Sequence, residues 1–152
     1  MSEIEEQQVE YSWDITYNVV MGETYATFME NQRQKKIVGN VGPSGVHYPP
    51  KPFCDISFEA CKDWVELDGI ATLLTYTVVH VPMPHLPPPP SITGIFKMGE
   101  SVVNFVHHIG GIDTSDPAKV EDKIKIGMKF KPVWKEERKG HMFDIDYFEP
   151  AE

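Results

Sequence analysis

The chain has 152 residues, 41% of them hydrophobic, and a formal net charge of −9, with a pI near 5.1; the length fits one core plus a small appendage. The acidic balance argues against phosphate-backbone binding as the main task, because that needs a basic surface that releases counterions. Two cysteines, an acidic start MSEIEEQQVE without an apolar core, and no apolar run of bilayer length set the expectation of a soluble, cytoplasmic chain with reduced thiols and no membrane partner.

Met1–Glu10 is acidic and polar and is expected to fray. In Tyr11–Val20, Trp13, Ile15, Tyr17 and Val19 alternate, which fits a short strand or an extended arm. Such an arm either packs on its own domain or docks on a partner. Gly22 interrupts the pattern. Thr24–Lys36 then reads as an amphipathic helix: Tyr25, Phe28 and Met29 share one face, and Arg33, Lys35 and Lys36 complement the dipole in the last turn. Its apolar stripe is short, so the helix is expected to lean on the barrel or on another chain. Ile37–Phe53 is too rich in Gly and Pro for a regular element.

Trp64–Pro82 is the stretch onto which the rest is expected to pair. It reads as one long strand, with Gly69 where a strand can bend. Leu74, Tyr76, Val78 and His80 fall on one face, and Leu73, Thr75, Thr77, Val79 and Val81 on the other. His80–Ser91 is a proline-rich loop whose Pro87, Pro88, Pro89 and Pro90 favour a stiff polyproline II arm. Ile92–Met98 and Ser101–Ile109 flank Gly99-Glu100 as a hairpin. Ile112–Glu121 is a polar crossover containing Asp116-Pro117. Lys125–Lys135 alternates, with Ile126, Met128 and Phe130 inward and Lys125, Lys129 and Lys131 outward, until Pro132 marks an edge or bulge. Phe143–Phe148 alternates again and closes the set. Five strands led by a long coiled one predict a mainly-β chain with a five-stranded OB-fold barrel.

The order of several weak motifs carries a resemblance. They are Lys36, Ile37 and Gly39 after the helix, Tyr48-Pro49-Pro50-Lys51, Phe53-Cys54, Trp64-Val65-Glu66-Leu67 with Gly69, Tyr76-Thr77-Val78-Val79-His80, Ile126-Gly127-Met128, and Asp146-Tyr147-Phe148-Glu149-Pro150. Together they resemble the thiolase-associated family of small proteins that join a rubredoxin-like zinc ribbon to an OB fold. The resemblance implies an arm, helix and ribbon-like module over residues 1–62 and the OB barrel over 63–152. It also implies a non-catalytic subunit in a hetero-oligomer with a thiolase-like catalytic subunit. Such a subunit supports assembly and helps shape the acyl-CoA route, while the catalytic Cys and His belong to the large chain. Relatives include archaeal acetoacetyl-CoA thiolase/hydroxymethylglutaryl-CoA synthase assemblies, steroid side-chain aldolases and phloroglucinol acyltransferases. The N-terminus most resembles the benzoylsuccinyl-CoA thiolase type, which implies a place in toluene degradation.

The ribbon is degenerate. Register with Pro49-Pro50 puts the family's first Cys pair near Asn40 and Pro43 and the second at Cys54 and Ser57, so only Cys54 is kept. Four-coordinate zinc is therefore not expected, and no cofactor is predicted. Tyr48, Phe53, Ile56 and Phe58 are expected to hold the module instead. A residual metal set of His47, Cys54 and Cys61 stays open. As catalysts, Cys54 and Cys61 lack a base whose geometry the sequence fixes. His107 and His108 point to opposite faces of a strand, and His80 and His85 flank the proline loop. Lys125, Lys129 and Lys131 form a basic stripe, which is either a solvated face or a contact for CoA phosphates. The expected partner-docking residues are Trp13, Tyr17, Tyr25, Phe28 and Pro87–Pro90. The barrel class alone offers an alternative, a module for single-stranded nucleic acid that stacks bases on aromatics beside a positive groove.

Overall fold

The computed structural model describes residues 8–83, 86–116 and 119–151. The first seven residues of the polar terminus, His85 and Pro117 lie outside them. In chain order come helix α1 (Glu23–Arg33) and strands β1 (Val38–Gly42), β2 (Gly45–His47), β3 (Asp63–Glu66), β4 (Ala71–Val79), β5 (Ser91–Met98) and β6 (Asn104–Ile109). The one-turn helix α2 (Val120–Lys123) and strands β7 (Lys129–Trp134) and β8 (Ile145–Pro150) follow. A three-stranded sheet has the order β2-β1-β3, and β4-β5-β6-β8-β7 closes into a barrel. Strands β6 and β8 run parallel, and the other barrel pairs run antiparallel. This is the expected five-stranded OB barrel behind an N-terminal helix.

The long strand is in fact two. Asp63–Glu66 pairs with β1 in the small sheet. The chain then bends at Gly69, whose φ of +77° belongs to the left-handed region that glycine enters freely, and only from Ala71 does it join the barrel. The two faces expected for that strand also need correcting. Leu73 pairs with Phe96 and Thr75 with Ile95, so Leu74 is an extra residue against β5. A bulge of this kind inverts side-chain parity. Ala71 and Leu73 face the core before it, and Tyr76 and Val78 pack against the core after it.

Strand β7 begins at Lys129, later than expected, and leaves Ile126 exposed, while Phe130 is fully buried as predicted. Pro132 pairs with Phe148 on β8, beyond the last residue that β4 contacts. Its missing N–H therefore costs no ladder bond on the β4 side.

The core is a chain of aromatic rings running from the helix into the barrel. Phe28 meets Tyr48 edge-on at 5.8 Å, Tyr48 meets Phe105 at 5.2 Å, and Phe105 stacks on Phe96 at 5.6 Å. Phe96 in turn touches Phe130 at 5.4 Å and Phe148 at 5.2 Å. Burying each large ring contributes about 1.5–3 kcal/mol. Gly94 makes room for this core, since a Cβ there would lie 2.9 Å from Ile109, Leu73 and Phe96 side-chain atoms. Ser101 ties the small sheet to the barrel: its hydroxyl oxygen accepts from the Tyr48 N–H at 2.9 Å, while Val102 N–H donates to Val46 O at 2.8 Å.

Candidate functional site

The N-terminal arm lies open. Residues 8–22 carry no helix or strand, and Val9, Tyr11, Trp13, Ile15, Tyr17 and Val19 are all exposed, Trp13 at 81% and Tyr17 at 76%. Tyr25 is also exposed, on the outer side of α1. Phe28 is not available for docking: one helical turn away, it is buried against Tyr48 together with Gln32. Pro87, Pro88 and Pro89 are exposed and Pro90 is half-buried.

The barrel wall adds apolar surface that sequence reasoning missed. A groove of about 360 Å³ is lined by Thr75, Tyr76, Thr77, Thr93, Ile95 and Val106. None of these lining residues is charged. Val106 also borders a smaller cavity of about 100 Å³ with Phe28, Gln32, Tyr48, Phe105, His107 and Phe143. Met142 and Phe143 are exposed at its edge.

The two histidines take opposite sides, as the strand geometry requires. His107 borders the small cavity. His108 borders a larger one of about 510 Å³ with Leu86, Pro87, Lys135, Phe143 and Asp146. His107 Nδ1 accepts the His108 N–H at 2.9 Å, so the neutral ring carries its proton on Nε2. Burial pushes His107 down to about 4 and moves His108 in the same direction. His107 Nε2 and Gln32 Oε1 have no hydrogen-bond partner among the described residues. His80 lies just past the end of β4, exposed, and His85 is outside the described residues.

Two lysines of the stripe have different partners. Lys129 Nζ donates to Thr72 Oγ1 at 2.7 Å, and Lys131 pairs with Glu149 at 3.4 Å. Lys125 is exposed and lies before β7. A separate cavity of about 400 Å³ gathers Lys135, Lys139, His141 and Glu137 around Asp144. Burial opposes ionisation of Asp144, but N–H donors from Lys139, Gly140 and His141 outweigh it and hold the carboxyl below its ordinary range.

The knuckle links His47, Cys54 and Cys61, grouped above as a residual metal set, through Ser44, which sequence reasoning missed. Cys61 Sγ lies 3.4 Å from His47 Nδ1, His47 Nε2 lies 3.0 Å from Ser44 Oγ, and Ser44 Oγ lies 3.3 Å from Cys54 Sγ. Both thiols and His47 are buried. Ser44, at the β1–β2 turn, is the residue opposite Cys54; neither Asn40 nor Pro43 is. Asn40 instead clamps Lys51, donating to its carbonyl at 2.6 Å and accepting its N–H. The expected brace also needs correction. Tyr48 is buried, but Phe53, Ile56 and Phe58 are exposed, the last two at 80%. They crown the knuckle, and Phe58 holds a φ of 60°, costly for an aromatic residue.

Zinc, which the resemblance implies, does not fit this donor set. Structural zinc takes four nitrogen or sulfur ligands, whereas this cluster offers two thiols, one imidazole and a serine hydroxyl. Among the described residues no group of three or more His, Cys, Asp or Glu is placed to hold a metal ion.

Residues 64–135 match the family of ChsH2 C-terminal OB-fold domains. The fold is shared with a chain of the solved Ltp2-ChsH2(DUF35) aldolase, at TM-score 0.62 and 22% identity, over 88% of this chain and 98% of that one. It is also shared with a DUF35-family protein of unknown function from Sulfolobus solfataricus, at TM-score 0.57 and 18% identity, over 74% and 78%. The family match thus covers somewhat under half of the chain, within the barrel, and at these identities the solved structures speak for the fold. No curated protein matches the chain. No helix among the described residues is long and apolar enough to cross a membrane.

Proposed function

We propose that this chain is a non-catalytic small subunit of a thiolase-type acyl-CoA complex, supporting assembly and helping to shape the acyl-CoA site. The observation that carries the reading is the open arm, with aromatic and aliphatic residues exposed at every second position from Val9 to Val19. A chain that leaves Trp13 and Tyr17 in water has a use for them in a complex, since such residues dominate interface energetics. The barrel's relation to ChsH2-type domains supports the same reading. So does the name of the aldolase, in which ChsH2 is paired with Ltp2. Tyr25, the Pro87–Pro90 loop and the exposed knuckle crown extend the docking surface. An obligate interface of this kind buries on the order of 2,000 Å² or more.

The acyl-CoA is bound at the junction with the partner in this reading, its phosphates against Lys125, Lys129 and Lys131. The likeness of the N-terminus to benzoylsuccinyl-CoA thiolase selects aromatic acyl-CoA thioesters as the first substrates to test. The deciding experiment is co-expression with the thiolase-like protein encoded nearest in the genome, followed by co-purification through a tag on this chain. A stable hetero-oligomer with thiolase or aldolase turnover supports the proposal. A chain that elutes alone, with no such partner bound, refutes it.

A further inference from the structure

We propose that the cavity between α1, β6 and the Tyr48-Pro49 segment binds a small neutral carboxamide, whose C=O accepts from His107 Nε2 and whose N–H donates to Gln32 Oε1. The inference does not depend on the proposed complex. It rests on two buried polar atoms of opposite kind, carried by different elements, in the wall of one cavity.

Gln32 is 1% exposed and belongs with Phe28 to the buried face of α1. Its amide N–H donates to Tyr48 OH at 3.1 Å. That commits the nitrogen and leaves Oε1 as a buried acceptor without a partner among the described residues. His107 Nδ1 is committed in the same way, to the His108 N–H at 2.9 Å. The proton of the neutral ring is then on Nε2, a buried donor that also has no partner among the described residues. A buried polar group left unpaired is unfavourable, and most native proteins avoid it. Here one missing donor and one missing acceptor line the same space.

The neighbours hold both groups in place. Tyr48 is packed edge-on between Phe28 and Phe105, and its N–H is bonded to Ser101 Oγ. The His107 ring sits edge-on to Phe148 at 5.3 Å. A site fixed before its ligand arrives spends little on ordering. The cavity measures about 100 Å³, and Phe28, Phe105, Val106, Met142, Phe143 and Ile145 give it apolar walls. Roughly three waters at ~30 Å³ each would fill that volume, but each needs at least two polar partners, which the apolar walls do not offer. A small amphiphile uses both kinds of surface.

The chemistry of the walls selects its polar end. No lining residue carries a full charge at neutral pH, since burial keeps His107 uncharged. A carboxylate would set a negative oxygen against Gln32 Oε1 with no cation to offset it. A ketone would satisfy His107 and leave Gln32 unpaired. An alcohol would have to serve both from a single oxygen. A carboxamide presents donor and acceptor on two atoms side by side, as a pair of groups held on separate elements requires.

Nitrogen-15 NMR of the full chain, titrated with propionamide, tests the site through the His107 ring and the Gln32 side-chain amide. Both signals are expected to shift saturably, with half-saturation at about 1–10 mM, the range open to so small a ligand. Butan-2-one and propionate, of nearly the same size, are expected to bind about tenfold more weakly or worse, because each leaves a buried group unpaired. Gln32→Met removes the acceptor and keeps the bulk. It is expected to bring propionamide and butan-2-one within about twofold of each other, a ratio that loss of stability alone does not move. The comparison of ligands on the parent chain decides by itself if that variant fails to fold. The proposal is overturned by the absence of a saturable shift up to about 100 mM propionamide. It is equally overturned if butan-2-one, propionate or 1-butanol binds as tightly, or if folded Gln32→Met keeps the full preference.

Discussion

Phe96 sits where β5 crosses the barrel and touches Phe105, Phe130 and Phe148. Phe96→Ala removes the centre of that stack, and a loss of about 3–5 kcal/mol is expected in denaturant unfolding. Gly94→Ala is the opposite error, too much volume against Leu73 and Ile109, with an expected cost of about 1–3 kcal/mol. His107 adds a pH dependence whose sign can be worked out. Its folded pKa of about 4 lies below the ordinary 6.5 because burial disfavours the cation. The unfolded chain therefore takes up a proton below pH 6.5 that the folded chain refuses until about pH 4. The neutral ring's contribution is complete above pH 6.5 and is lost as the pH falls toward 4, on the order of 3 kcal/mol in all. Urea titrations at pH 7.5 and 4.5 on the parent and on His107→Phe check this. An equal drop in both chains would assign the pH dependence to other groups.

At the scale of elements, the arm is separable from the fold. Residues 8–21 contribute nothing to the hydrophobic core, so their removal is expected to leave the unfolding midpoint of the isolated chain within a degree or so. The same deletion is expected to abolish co-purification with the thiolase-like partner, and Trp13→Ala to weaken it at least tenfold. A truncated chain that still forms the complex would place the interface elsewhere, with the knuckle crown and the Val106–Phe143 surface next in line. Strand β7 carries the prediction for CoA. Lys129→Glu with Lys131→Glu is expected to raise KM for the acyl-CoA about tenfold or more at nearly constant kcat, because phosphate contacts far from the reacting carbon bind ground and transition states alike. A fall in kcat at constant KM would remove these lysines from substrate binding.

For the whole molecule, charge and site inventory lead to a negative and a positive expectation. With a net charge of −9 and an uncharged groove on the barrel wall, the pure chain is expected to show no salt-dependent shift of single-stranded DNA or RNA even near 50 mM salt, where phosphate contacts are strongest. It is also expected to turn over no acyl-CoA alone and to support turnover when joined to its partner. Hydrolysis of a thioester by the isolated chain would contradict the accessory role. Fold by itself settles neither point, since OB barrels serve many tasks.

The alternation of β5, the inward Phe130 and the apolar–polar rhythm of Phe143–Phe148 were enough to announce a five-stranded barrel, because strand periodicity is local. The open aromatic arm was equally legible as a pattern, though not whether it would pack at home. What the local pattern could not carry was parity across Leu74, where a single extra residue turns the later half of β4 over. Nor could it show that Asp63–Glu66 belongs to another sheet, since pairing partners are chosen by residues far away in the chain. The knuckle depended most on tertiary structure. His47, Cys54 and Cys61 could be grouped by residue type, but Ser44, which joins His47 to Cys54, carries no spacing that would flag it. Only when the β1–β2 hairpin closes on the Cys54–Cys61 loop do their polar atoms come within bonding distance. Periodicity is written in neighbours along the chain, whereas a hydrogen-bonded cluster is written in neighbours across it, and the second becomes readable only after folding.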